Sequence, residues 1–258
     1  MMHARRRRRP NCRASERKEI LTDVPTMKPI TRMKETMGIT SATLQRTFRI
    51  RVGPSVGTCF TVDLDGRRYV ATARHVAGDI ESRRAVEIWH DGTWKSLPVD
   101  LVGHGANGVD ITVLAPKQLF GGAYPVRIHD GFLLGEEVSF LGFPFGEGSE
   151  VGAMNLDYPV PWVKRGIVSA FDQESSAVYV DGHNNPGFSG GPVVHERESN
   201  PRIVGVISGY RRDRRKVLDD SGHEGPYTYD QNTGIVLAYN AGRITEIVAA
   251  NPVGFPVG

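Results

Sequence analysis

Cysteine is nearly missing from this chain: there are two in 258 residues, Cys12 and Cys59. Cys12 stands in a polar, charged segment and Cys59 in a β-rich run. The expectation is two free thiols, one of them buried, and no disulfide framework. The eight histidines do not pair with cysteines or carboxylates at a ligand spacing, so no metal site is expected. An excess of charge of one sign is lacking as well. The formal net charge is +3, much of it from the run Arg5–Arg9, and the remaining chain is close to neutral. Bulk composition therefore asks for neither a nucleic acid nor an anionic membrane as partner. The arginine run reads as a solvated tail. Long apolar runs are absent, so no segment is expected to span a bilayer. A secretory signal needs an apolar stretch of roughly 7–15 residues. Here Arg5–Arg9 is followed instead by Pro10, Asn11 and more charge. The expectation is a cytoplasmic protein, or a start upstream of the true one, for which Met27 and Met33 are candidates.

Glycine and proline are plentiful, at 30 and 16 residues, which suits a turn-rich all-β fold better than a helical one. The length allows one large domain or two small barrels, each with its own core. Residues 1–45 show no sustained periodicity and read as a disordered basic lead, with a short helix near Thr31–Met37. From Phe48 onward short β-rich runs recur between turn residues. They include Cys59–Leu64, Arg68–Thr72, Ala85–Trp89, Ile111–Ala115, Glu137–Phe140, Lys164–Ala170, Ala177–Val180, Gly191–His195, Ile203–Ser208 and Gly234–Ala238. Asp65-Gly66 between two of them signals a hairpin. Strands at this spacing argue for barrels or a sandwich rather than strand–helix alternation. Ile244–Ala250 has helical spacing. The charged segment Arg211–Gln231 reads as an exposed loop between two strands.

Three segments carry chemistry. In Ala71-Thr72-Ala73-Arg74-His75-Val76-Ala77 a histidine follows a strand end at once. In Val109-Asp110-Ile111-Thr112-Val113-Leu114 an aspartate opens an apolar strand. In Asn185-Pro186-Gly187-Phe188-Ser189-Gly190-Gly191-Pro192 small residues surround a serine, so that backbone can approach a substrate carbonyl and the N–H groups of Gly187 and Ser189 can converge as an oxyanion hole. Taken singly, His75 fits a structural histidine and Asp110 a turn cap. Together they supply base, orienter and nucleophile, because serine needs a base in contact and the base needs a carboxylate to fix its tautomer. Gly187-Phe188-Ser189-Gly190-Gly191 also fits the nucleophile elbow of α/β-hydrolases. That elbow must lead into a helix, whereas Gly190-Gly191-Pro192-Val193-Val194 reads as a turn and then a strand.

These segments resemble those of trypsin/chymotrypsin-like serine peptidases, especially the bacterial Htr-type and glutamyl-endopeptidase branches. Thr72-Ala73-Arg74-His75-Val76 is similar to Thr-Ala-Ala-His. Asp110-Ile111-Thr112-Val113-Leu114 is similar to Asp-Ile/Leu-Ala-Val-Leu. Asn185 to Pro192 is similar to Asn-Pro-Gly-Asn-Ser-Gly-Gly-Pro. Leu141 to Gly146, Gly166 to Ala170 and Gly205 to Tyr210 resemble supporting segments, and the resemblance covers roughly residues 48–250. It implies two six-stranded antiparallel β-barrels, about 46–125 and 126–240, and a C-terminal helix about 241–250. No Htr-type peptide-binding domain is expected after them, because the chain ends within a few residues of the last helix. It further implies hydrolysis of polypeptide through His75, Asp110 and Ser189 without a cofactor, with Ser208 beside Asp110. His183 would stand at the base of the primary pocket, with Gly209 and Tyr210 as a wall. Two positions depart from the pattern: Arg74 replaces a small residue and Phe188 a polar one. Arg74 pointing inward would compete for Asp110; pointing outward it is harmless. A histidine at the pocket base, with Arg211, Arg212, Arg214, Arg215 and Lys216 just beyond, leans toward acidic or small apolar residues at the cleaved position, and the basic run fits a solvated loop equally well. The other reading of the whole chain is a catalytically inactive barrel pair used as a binding module. Oligomeric state is not encoded in any of these features.

Overall fold

The computed structural model describes residues 38–197 and 200–257. Arg5–Arg9, Cys12 and the helix expected near Thr31–Met37 lie outside the described residues.

A short helix α1 (Ser41–Leu44), capped by the Thr40 hydroxyl, already belongs to the folded part. This helix lies within residues 1–45, which the sequence reading assigned to a disordered lead. Strands β1 (Thr47–Val52), β2 (Ser55–Leu64), β3 (Arg67–Thr72), β4 (Ala85–His90), β5 (Thr93–His104) and β6 (Thr112–Pro116) follow. Between β3 and β4 lie two single-turn helices, α2 (Arg74–Ala77) and α3 (Ile80–Arg83). These six strands close into an antiparallel barrel, because β3 pairs with both β2 and β6. The turn between β2 and β3 places Asp65 and Gly66 at φ 49° and 70°, as a tight hairpin of matching twist requires. Phe48, Ile50, Val70, Val86 and Leu97 fill this barrel. Cys59 is packed among them as a free thiol whose pKa burial pushes up, so it stays protonated and inert.

The second sheet holds β7 (Arg127–Ile128), β8 (Glu137–Gly142), β9 (Trp162–Asp172), β10 (Ala177–Asp181), β11 (Pro192–Arg197), β12 (Asn200–Leu218) and β13 (Glu224–Asn240). Pairing of β11 with β12 and with β8 closes it into a second barrel, with β7 appended in parallel. Val138, Phe140, Val168, Val180, Phe188 and Val236 form its core. Helix α4 (Gly242–Ala250) buries Ile244, Ile247 and Val248 against Val102, Val109 and Ile111 of the first barrel. The chain then adds β14 (Phe255–Pro256) to the open side of β3. No helix among the described residues is long and apolar enough to cross a membrane.

Arg211–Gln231 is not a loop. It is a hairpin arm in which β12 and β13 stay paired out to Leu218 and Glu224. Its residues are almost all exposed, as expected, but the facing backbone groups of its two strands are held by the ladder. Arg214 bridges to Asp230 across the strands at 2.8 Å, and Lys216 pairs with Glu224. Arg214 and Lys216 are thus cross-strand partners, while Arg215 pairs with Asp213 on its own strand.

Candidate active site

The fold brings His75, Asp110 and Ser189 to one place, along the line where the two barrels meet. His75 sits on α2, three residues after Thr72 ends β3, and its side chain is half-exposed. Asp110 lies just ahead of β6, between the buried Val109 and Ile111. Its Oδ2 is 2.7 Å from His75 Nδ1, and its Oδ1 accepts from the His75 backbone N–H at 3.0 Å. The Ser208 hydroxyl donates to the same Oδ2 at 2.6 Å. Burial works against the Asp110 carboxylate, but the hydrogen bonds from His75 and Ser208 outweigh it and hold its pKa below the ordinary aspartate value. Arg74 is exposed, and the hydrogen bonds on this carboxylate come from His75 and Ser208.

Ser189 reaches the same cluster through β12. Its hydroxyl donates to the Ser208 carbonyl at 2.9 Å. Ser208 thus touches Asp110 with its side chain and Ser189 with its backbone.

The turn that carries Ser189 is clamped from three sides. Gly190 has φ 84°, and a Cβ there would lie 2.1 Å from the Thr58 carbonyl oxygen. A Cβ on Gly187, at φ 106°, would lie 2.2 Å from the Phe143 carbonyl oxygen. Only glycine fits either place. Thr58, buried in β2, was not singled out by sequence. Its hydroxyl donates to Gly187 O at 2.7 Å and accepts from Phe143 N–H at 3.1 Å, and its own N–H donates to Ser189 O at 2.8 Å. A lone threonine in an apolar strand carries no sequence signal for this role. Phe188 is fully buried and packs edge-on against Phe140 with centroids 5.5 Å apart. Its side chain is therefore an anchor of the turn in the second core. Lys164 was also missed. Its Nζ donates to His183 O at 2.7 Å and to Asn185 Oδ1, and lies 5.3 Å from the Phe188 ring centroid.

Backbone directions around the serine follow from peptide planarity. Pro186 O accepts from Phe145 N–H at 2.8 Å, which turns the Gly187 N–H of the same peptide away from Phe145. Phe188 O accepts from Gly191 N–H at 2.8 Å, which turns the Ser189 N–H away from Gly191.

At the expected pocket, His183 is exposed, whereas its neighbour Asn184 is buried and donates to Gly209 O at 2.9 Å. Asn232 Nδ2 in turn donates to Asn184 O at 2.7 Å. Asn184, which the sequence reading did not single out, is therefore the neighbour of His183 that is bonded to Gly209. A separate 740 Å³ cavity, lined by Phe132, Phe171, Arg243 and Glu246 among others, lies beside α4 and is not lined by His75, Asp110 or Ser189.

Residues 57–206 match the family described as a trypsin-like peptidase domain. No curated protein matches the chain. Solved structures that resemble it include an inactive form of Rv3671c from M. tuberculosis H37Rv, 18% identical with a TM-score of 0.51, over 84% of this chain and 92% of that one. The serine endoprotease from Yersinia pestis is 18% identical with a TM-score of 0.53, over 83% of this chain and 67% of that one. The HtrA-type protease AlgW with a tripeptide is 20% identical with a TM-score of 0.52, over 82% of this chain and 63% of that one. At these identities the structures speak to the fold.

Proposed function

Since the chain belongs to the trypsin-like peptidase family, we propose that it is a serine endopeptidase with Ser189 as nucleophile, His75 as general base and Asp110 as the residue that orients the base. The observation that carries this reading is the shared partner. Ser208 holds Asp110 through its hydroxyl at 2.6 Å and Ser189 through its carbonyl at 2.9 Å, while Asp110 holds His75 Nδ1 at 2.7 Å.

With Nδ1 committed to Asp110, Nε2 of His75 is the nitrogen left to accept a proton. Rotation of Ser189 about Cα–Cβ turns its hydroxyl from Ser208 O toward that nitrogen. The Ser189 proton then passes to Nε2 as the Oγ–carbon bond forms. The carbonyl oxygen becomes an oxyanion, met by the Gly187 and Ser189 N–H groups, which peptide planarity directs away from Phe145 and Gly191. Protonated His75 is stabilised by Asp110 and gives the proton to the leaving amine as the C–N bond breaks. Water repeats the sequence to release the acid product and restore Ser189.

His183, Asn184, Ser208, Gly209 and Tyr210 are the residues proposed to meet the substrate beside the cleaved bond. The Lys164 ammonium, bonded to His183 O, adds positive charge there and supports the leaning toward acidic residues. A peptide-library cleavage profile compared between wild type and Ser189→Ala tests both points. Cleavage that disappears in the variant and favours acidic or small apolar residues is expected. A profile dominated by Arg or Lys overturns the specificity, and cleavage equal in both proteins overturns the nucleophile.

One observation favours a second reading, a barrel pair that binds polypeptide without cleaving it: the Ser189 hydroxyl is bonded to Ser208 O, not to His75. A folded wild type that cleaves no peptide in the same library supports that reading.

A further inference from the structure

We infer that Arg49, held between Trp89 and Trp94 on the outer face of the first barrel, binds a carboxylate of the polypeptide segment that follows the cleaved bond, an inference that rests on the endopeptidase reading above. Residues directly opposite each other in an antiparallel pair point to the same face. Arg49 is opposite Thr58, and Arg51 is opposite both Val56 and Glu87. These side chains share one face, while Ile50 between the two arginines points into the core. Thr58 lies under the serine turn, so Arg49 stands one strand away from it, about 4.8 Å across the ladder. The guanidinium carbon of Arg49 is 5.0 Å from the Trp89 ring centroid and 4.9 Å from that of Trp94, two residues paired across β4 and β5. Arg51 also lies over Trp94, at 4.5 Å, and its charge is met by Glu87 through two bonds of 2.7 and 2.6 Å.

Arg49 has no such partner. Among the described residues no group accepts a hydrogen bond from its side chain, and its Nε is buried without one. Glu150 comes near enough to favour its charge, but Glu150 Oε1 accepts from Trp89 Nε1 at 3.0 Å. Burial outweighs that help and lowers the Arg49 pKa. A guanidinium presents its donors in a planar fork that matches a carboxylate, and the two indoles hold this fork in place. The fork lies on the path of the departing segment. Gly57 separates α2 from the serine turn: a Cβ there would lie 2.8 Å from Val76 and 2.9 Å from Ser189 O. The leaving amine takes its proton from His75, the neighbour of Val76, so the segment after the bond passes over Gly57 to the exposed Val56. Val56 is opposite Arg51, and Arg49 is the next outward residue along β1. On its other side Arg49 is covered by Gly146, where a Cβ would run into the guanidinium. The adjoining Phe145 donates its N–H to Pro186 O of the serine turn. An extended chain advances about 3.3 Å per residue, so a carboxylate about two to four residues after the bond reaches the fork.

The test uses the full chain and peptides that share one cleavable centre. They carry Glu or Gln at the second, third or fourth residue after the bond and end in an amide. A further neutral set ends at one of those residues in a free α-carboxylate. Hydrolysis is read in the wild type, Arg49→Gln and Arg49→Lys, and binding by fluorescence anisotropy in Ser189→Ala with and without Arg49→Gln. In the wild type a Glu peptide should exceed its Gln counterpart about tenfold in kcat/KM at one of these positions, chiefly through KM, as one charge-assisted pair contributes. In Arg49→Gln that ratio should fall to about one, whatever the level at which the Gln peptide is cleaved. Arg49→Lys should keep part of it, because the charge returns without the planar fork. A gain confined to the free α-carboxylate set assigns the fork to a chain end, and a gain with the Glu peptides assigns it to a side chain. A wild-type ratio near one in both sets overturns the inference, and that measurement needs no variant to fold. A ratio that Arg49→Gln leaves intact, even with all peptides slowed together, overturns it too and leaves Arg49 as a support for the Gly146 loop. If no peptide is cleaved, but Glu peptides bind Ser189→Ala more tightly than Gln peptides and lose this with Arg49→Gln, the endopeptidase reading fails and the carboxylate site stands.

Discussion

Replacing Thr58 with valine keeps the shape of the side chain and deletes one oxygen. That oxygen donates to Gly187 O and accepts from Phe143 N–H, in a residue with no exposed surface. Valine leaves both groups without this partner. The Phe143 contact is fully buried, so its N–H loses the bond with no water to replace it, at about 1–3 kcal/mol. Gly187 is only partly buried, so its carbonyl recovers part of its loss from solvent. The sum expected is about 2 kcal/mol of folding stability, read as a lower urea midpoint at unchanged m-value. The same change releases the Gly187–Phe188 peptide, which lies between the two proposed oxyanion donors, Gly187 N–H and Ser189 N–H. A turn that shifts here misplaces a donor, and losing one such donor lowers kcat about 10²–10³-fold. KM should move little, because the donor matters chiefly to the transition state. A Thr58→Val protein as stable as wild type to within about 0.5 kcal/mol, with unchanged kcat, would refute the view that Thr58 anchors the turn.

Asp110→Asn should leave the circular dichroism spectrum intact while lowering kcat on the order of 10³–10⁴-fold, since the His75 tautomer is no longer fixed. Phe188→Ala should cost about 3–5 kcal/mol in chemical denaturation, because it empties a fully buried site against Phe140. Asp63 bonds the buried guanidinium groups of Arg46 and Arg68. Burial opposes its ionisation, but these two partners prevail and lower its pKa from 3.8 to about 2. A depressed carboxylate pKa contributes stability that is whole above the unfolded value and fades as pH falls toward the folded one. The denaturant midpoint of wild type should therefore fall between pH 4 and pH 2 more steeply than that of Asp63→Asn, which is less stable near neutrality.

How much of this was legible in the sequence depends on what each element rests on. Runs such as Cys59–Leu64 and Arg68–Thr72 bury nearly every residue, so their apolar, β-branched composition announces them. Ile244, Ile247 and Val248 announce α4 by helical spacing. The arm carries no such pattern. Its strands bury almost nothing, and pairs such as Arg214–Asp230 become visible only once the register is known. The same holds for β14, a two-residue strand whose partner β3 lies far away in sequence. At the site, His75, Asp110 and Ser189 each stand in a distinctive local segment. Thr58 and Lys164 act on the serine turn from β2 and β9, distant in sequence, and look like any other strand residues. Phe188 read as a neutral departure because its value lies in a core that sequence alone does not assemble.

The central claim is that Ser189 is a nucleophile activated by His75. A fluorophosphonate probe reports this directly, because it forms a bond only with an activated serine. Intact mass and peptide mapping of the labelled wild type, Ser189→Ala and His75→Ala proteins give the answer. One adduct on Ser189 of the wild type, absent from Ser189→Ala and strongly slowed in His75→Ala, is the predicted result. A folded wild type that takes up no label, or one that labels equally well without His75, contradicts the account.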